Sequence, residues 1–192
     1  MNIFQSIILG VVEGITEFLP ISSTFHLIFA SKLLDIPQND FLKLFEVVIQ
    51  GGAILSVVIL YIKELLSDRE LLKKVIVSFL PTATIGFVLY KVIKNVFFEA
   101  DLLMLAVFLI VGIIFIVVEK SHRNQALTQP IDKLTYKDAF IIGLVQALAV
   151  IPGVSRAGSV ILAMIFLGYN RPNAAKYSFM LSIPTILAAS GY

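Results

Sequence analysis

Apolar residues run through this chain in long blocks, and the polar positions that interrupt them set the expected elements. The block 102–118 is wholly apolar and ends in the charged cluster Glu119, Lys120 and Arg123. The block 75–90 is apolar apart from small hydroxyl residues and a proline, and ends at Lys91 and Lys94. Each is slightly short of the roughly 20 residues that a bilayer requires, but flanking Lys side chains can snorkel to the interface. A third block, 45–62, carries Gln50-Gly51-Gly52 at its middle, a small-residue step that permits close helix approach. A fourth starts near Ala174 and runs to the chain end, with Pro184 expected to kink it. Spanning helices are therefore expected at about 43–62, 75–94, 101–119 and 174–192.

Two further apolar stretches do not suit simple spans. Residues 1–29 are broken at Pro20-Ile21-Ser22-Ser23, and residues 139–169 at Pro152-Gly153-Val154-Ser155. In each, a helix of roughly 13 to 17 residues meets a Pro-led break before a second short helix starts, and runs of that length are more often re-entrant than spanning. Broken backbone at membrane depth is tolerated only against protein or a wet cavity. The expected hairpins cover about 1–34 and 138–170.

The two broken stretches also resemble each other: GVVEGITEFLPISS from Gly10 to Ser23, GLVQALAVIPGVSR from Gly143 to Arg156. Pro20 and Pro152 are 132 residues apart, as are Phe45 and Tyr177. This spacing predicts an all-α polytopic membrane protein. Its first repeat, 1–132, is a re-entrant hairpin followed by three spans. Its second, 133–192, is a hairpin and one span, a copy that stops early. Three spans are an odd number, so the second copy is inverted, and sites in such architectures lie where the copies meet near the midplane. The basic residues give an orientation. Stretches 63–74 and 119–138 carry four Lys/Arg each and 91–101 carries two, which puts the first two in the cytoplasm and the last outside.

Composition agrees with a membrane class: 58% of the 192 residues are hydrophobic and 15% charged, against roughly 25% charged in soluble domains. Mean hydropathy is +0.95. The N-terminus lacks a basic n-region, and Glu13 and Glu17 interrupt its apolar run, so it does not read as a cleaved signal peptide. Without cysteine there is no thiolate chemistry, and a net charge of +2 gives no reason to expect nucleic acid.

Ionisable groups at membrane depth are costly and are functional candidates by default. Glu13, Glu17, His26 and Arg156 qualify. Glu13 and Glu17 stand at i and i+4, on one helix face. They either snorkel to water or hold a divalent cation, and hard oxygen ligands suit Mg2+ or Ca2+. Ser22, Ser23 and Thr24 can cap the next helix, whose N-terminus is also an anion site. His26 can transfer protons near neutral pH. The second break repeats the device: Gly153 lets backbone approach a ligand closely, Ser155 supplies a hydroxyl, and Arg156 is a fork-shaped phosphate donor. The partner of Arg156 is either one of the two Glu or a phosphate.

At these residues the chain resembles the undecaprenyl-pyrophosphate phosphatase, or bacitracin-resistance, family. The matching stretches are Gly10 to Thr24 with His26, Phe45 to Leu55, and Gln146 to Arg156 followed by Arg171, Ala174-Ala175 and Ser178-Phe179. The resemblance implies a divalent-metal-dependent phosphatase with a site open to the outer face. It would turn undecaprenyl pyrophosphate into undecaprenyl phosphate and inorganic phosphate, recycling the carrier of peptidoglycan synthesis and conferring bacitracin resistance. It makes Glu13, Glu17, Ser23, His26 and Arg156 the catalytic set, with Glu13 and Glu17 on the metal. Ser22, Thr24, Gln146, Gly153 and Ser155 complete substrate binding. The expected partners are that lipid and the membrane around it, the expected location is the bacterial cytoplasmic membrane, and a homo-oligomer is compatible with the sequence. Phe25 stands where the family usually has Gly, Ala157 where it has Ser, and Val160 where Thr is common. A lipid or anion transporter, or flippase, uses the same inverted broken-helix design, and an inactive truncated homologue is a third reading. The attacking group is left open between Ser23 and water.

Overall fold

The computed structural model describes residues 1–97, 101–122 and 127–190; the side chains of 90–97, 101 and 122 lie outside that description. The basic residues Lys91, Lys94 and Arg123 used for orientation therefore fall outside the described side chains, as does the last turn of the span expected at 75–94. Among the described residues eight α-helices follow one another: α1 Ile3–Thr16, α2 Ser23–Leu33, α3 Asp40–Ser67, α4 Arg69–Phe97, α5 Asp101–His122, α6 Tyr136–Ala147, α7 Arg156–Phe166 and α8 Arg171–Ser190. Short 3-10 turns, Ile131–Lys133 and Leu148–Val150, flank α6. No strand occurs among the described residues, only an isolated bridge between Gln129 and Tyr169.

Among the described residues, three helices are long and apolar enough to cross a membrane: Asp40–Ser67, Arg69–Leu89 and Leu102–Ser121. At 1.5 Å per residue, the 28 residues of α3 reach about 42 Å, more than the hydrocarbon thickness of about 30 Å. The 14 residues of α1 reach only about 21 Å. Large apolar side chains such as Ile59 and Leu60 of α3 and Ile113 and Val117 of α5 stand exposed, as lipid-facing residues do.

Two expectations need correction. Residues 63–74 are not a loop. α3 continues to Ser67 and α4 starts at Arg69, because Asp68 accepts a hydrogen bond from the Leu71 amide at 2.9 Å and restarts the helix at once. The basic residues there lie on helix ends. The block from 174 does form a helix, α8, but α8 is not among the three apolar enough to cross by composition. Its Ala174, Tyr177, Met180 and Leu181 are fully buried, and it packs on α3, α4 and α7, so protein surrounds much of it. Pro184 sits inside α8, and residues 191–192 lie outside the described residues.

The main core gathers α3, α4, α6, α7 and α8, with Met164, Tyr177 and Leu181 at its centre. A smaller one, Leu9, Leu27, Ile36 and Leu42, holds α1 and α2 against α3. The closest approach joins α4 and α6. A Cβ on Gly143 would overlap the Ser78 carbonyl, so glycine is what lets the two backbones meet. Hydroxyls fasten the same seam: Ser78 donates to the Ala139 carbonyl at 2.6 Å and Thr82 to that of Gly143 at 3.1 Å. α1 with α2, and α6 with α7, form two helical hairpins. Each opens on a capping box, Asn2 with Gln5 and Thr135 with Asp138.

Candidate active site

The two hairpin turns come together. Glu17, just past the end of α1, receives a hydrogen bond from the Ser23 hydroxyl at the start of α2. Its other oxygen lies 2.7 Å from Nη2 of Arg156, the first residue of α7, which is 139 residues away in sequence. Nη1 of Arg156 donates to the Ser178 carbonyl of α8 at 3.2 Å. Both members of the pair are buried, with side-chain exposures of 12% for Arg156 and 9% for Glu17. An isolated charge so placed would cost several kcal/mol, and each member of the pair supplies the other's counter-charge.

One helical turn before Glu17, Glu13 is wholly buried, and neither of its carboxylate oxygens has a hydrogen-bond partner among the described residues. It lies close enough to Glu17, Glu46 and Arg156 for their charges to interact. Glu46, on α3, also has a buried oxygen without a partner among the described residues, as does the Ser178 hydroxyl. Both lie in stretches that match the family, but neither was singled out as a site residue from the sequence. They are 132 residues apart, the spacing of Pro20 and Pro152, and Glu46 is an ionisable group inside an apolar block, which was signal enough.

His26 is held by its own turn. Ser22 has a φ of 58°, in the left-handed region that non-glycine residues rarely adopt, which aims its carbonyl at the ring. Nδ1 of His26 lies 2.8 Å from that carbonyl oxygen. A carbonyl only accepts, so Nδ1 carries a proton, and in the neutral form the lone pair lies at Nε2. Phe25 and Phe108 each meet the ring edge-on, with centroids at 5.8 and 5.9 Å.

The other candidates spread out. Ser22 and Ser155 line an apolar cavity of about 280 Å3 between the two turns and α5. The Ser155 hydroxyl caps α7, accepting from the Gly158 amide at 3.1 Å. Gly153, with φ of 97°, rests on the Met104 carbonyl, where a side chain would collide. Thr24 is exposed and takes no part in the Glu17 cluster. Gln146 is buried but spends its amide nitrogen on Thr82 at 2.8 Å and Thr185 at 3.4 Å; its oxygen lacks a partner among the described residues. Of the three departures, Ala157 and Val160 are buried in α7 and Phe25 stacks on Phe108. Among the described residues no group of three or more His, Cys, Asp or Glu comes together as a metal site.

Residues 6–192 match the family described as bacitracin resistance protein BacA. The chain belongs to that family. Among similar curated proteins, the undecaprenyl-diphosphatase of Persephonella marina is 47% identical over 193 residues, covering all of this chain and 75% of the relative. That of Aquifex aeolicus is 46% identical, also over 75% of its length. That of Campylobacter jejuni subsp. jejuni is 38% identical over 72% of its length. The BacA match thus takes in both hairpin turns, the Glu17–Arg156 pair and the buried Glu13.

Proposed function

We infer that this chain is an undecaprenyl-diphosphatase, a membrane hydrolase that removes the terminal phosphate of undecaprenyl pyrophosphate and serves carrier recycling and bacitracin resistance. The observation that carries the reading is Glu17 bridging Ser23 and Arg156 across the two hairpins. It brings a hydroxyl, a base for that hydroxyl and a phosphate-binding fork to one buried point.

In the proposed mechanism, the pyrophosphate enters between the turns and takes Arg156 from Glu17. Arg156 offers two parallel N–H donors to phosphate oxygens. Glu17, released from the guanidinium, accepts the Ser23 proton as Ser23 Oγ attacks the terminal phosphorus. The P–O bond to the bridging oxygen breaks, giving phosphoserine and the prenyl monophosphate. Water then cleaves the phosphoserine, Nε2 of His26 taking its proton while Glu17 returns its own to the departing Ser23 Oγ. Most of the catalysis is positioning and charge stabilisation. Glu13, a buried carboxylate with two unpartnered oxygens, suits a hard divalent cation. Glu13 and Glu17 would hold Mg2+ or Ca2+, and when bound it would neutralise charge on the pyrophosphate.

The hairpins are re-entrant in this reading, entering from opposite faces, with their turns meeting near the midplane of the bacterial cytoplasmic membrane. The short reach of α1, the Glu17–Arg156 contact and the basic residues near Ser67 support it. The test is phosphate release from a prenyl pyrophosphate by the purified chain, with rapid-quench capture of phosphoserine. No release by the wild type would end the phosphatase reading. Release by Ser23→Ala at the wild-type rate would hand the attack to water.

A further inference from the structure

The cavity beside the site is shaped by one face of α5. Phe108, Val111, Gly112 and Phe115 stand at i, i+3, i+4 and i+7, a single helical stripe turned toward the hairpins. Both aromatic ends of the stripe are pinned. Phe108 stacks on Phe25 of α2, with centroids 4.1 Å apart and planes 9° from parallel. The Phe115 ring lies directly over Gly158 of α7. Between them Gly112 contributes no side chain, and a Cβ built there meets nothing within 4 Å. The stripe therefore has a notch at its centre, floored by glycine and walled by two fixed phenyl rings.

The notch adjoins the chemistry. Ser22 and Ser155 line it, and each is the immediate neighbour of a site residue, Ser23 or Arg156. Its remaining lining is apolar. Apart from those two hydroxyls nothing in it recognises charge, so it is not a second phosphate site. At about 280 Å3 it lies at the small end of ligand pockets, room for a short stretch of hydrocarbon and not for a long tail.

We propose that this notch receives the isoprene units next to the pyrophosphate, so that Gly112, flanked by Phe108 and Phe115, is a specificity-determining position. The proposal rests on the phosphatase reading. A prenyl pyrophosphate with its terminal phosphate at Ser23 must lead its chain away within a residue or two of Ser22 and Ser155. Flat, unsaturated units lie well against fixed aromatic faces. The rest of the tail continues into lipid.

The test is Gly112→Leu in the full chain, purified in detergent. Its side chain grows into open space, so it fills the notch without forcing backbone apart. Two quantities are read: kcat/KM for farnesyl pyrophosphate and the inhibition constant of inorganic pyrophosphate, which has a head and no tail. The expected result is at least about a tenfold loss in kcat/KM with pyrophosphate inhibition unchanged. Unchanged turnover in Gly112→Leu, with an active wild type, overturns the notch and leaves the phosphatase reading standing. An inactive wild type removes that reading instead, and the notch proposal with it. If Leu alters both quantities, Gly112→Ala is read in the same way: a selective loss of prenyl turnover supports the proposal, and no selective loss overturns it.

Discussion

Arg156→Ala is the most informative single perturbation. It deletes a guanidinium that reaches Glu17 at 2.7 Å and the Ser178 carbonyl at 3.2 Å. Glu17 then keeps only the Ser23 hydroxyl while remaining buried. Breaking a buried pair by removing one member costs about 3–5 kcal/mol, mostly for the stranded charge. In a chain of this size each kcal/mol lowers Tm by about 2–4 °C, so the expected fall is roughly 6–20 °C. Glu17→Gln alone strands Arg156 in the same way. The double variant strands neither, and should be more stable than the sum of the singles by about 2 kcal/mol. Thermal unfolding followed by circular dichroism in detergent gives all four corners of the cycle. Additive shifts, within about 0.5 kcal/mol, would show that the two residues do not meet and would remove the composite site. Turnover supplies the second readout. Arg156→Lys keeps the charge and loses the fork, and should slow turnover at least about tenfold, or roughly 1.4 kcal/mol of transition-state binding. Wild-type turnover in Lys would make the fork unnecessary, and wild-type turnover in Ala would place phosphate binding elsewhere.

Glu13→Gln should cut turnover by at least about a hundredfold while Tm holds or rises, because it replaces a buried acid that has no hydrogen bond among the described residues; full turnover in this variant would take Glu13 out of the site. Chelation should stop wild-type hydrolysis and added Mg2+ restore it, whereas activity that survives chelator would rule out the metal. The chain has no cysteine, so single-cysteine labelling is clean. Asp40→Cys and Ser67→Cys mark the two ends of α3, and an impermeant reagent on intact cells should reach the first and not the second; the reverse pattern would invert the proposed topology. Gly143→Ala should destabilise by about 1–3 kcal/mol, since its methyl meets the Ser78 carbonyl, and an unchanged Tm would contradict the close approach of α4 and α6.

The turns were legible because proline, serine and charge interrupt apolar runs there, and Glu17, Ser23 and Arg156 could all be named from that pattern. Which acid pairs with Arg156 could not. Glu13 and Glu17 share a helix face, and only the meeting of the α1–α2 turn with the start of α7 separates a salt-bridged carboxylate from one without a partner among the described residues. Asp68 shows the opposite failure. A cluster of charges reads as a loop, yet a single capping carboxylate carries the chain from one helix into the next. α8 is enclosed by protein, and in such a helix composition stops reporting on lipid. Gln146 sits in a stretch that resembles the family, but its hydrogen bonds serve the seam between α4, α6 and α8.

The separation of Glu17 from Arg156 has a consequence for how the chain is made. Ribosomes add about 5–20 residues per second, so the 139 residues between them take roughly 7–30 s to emerge. Throughout that interval the first hairpin exists without its counter-ion. In the re-entrant arrangement proposed above, Glu17 meets its counter-charge only once Arg156 has been made, so the first hairpin is completed by synthesis of the second.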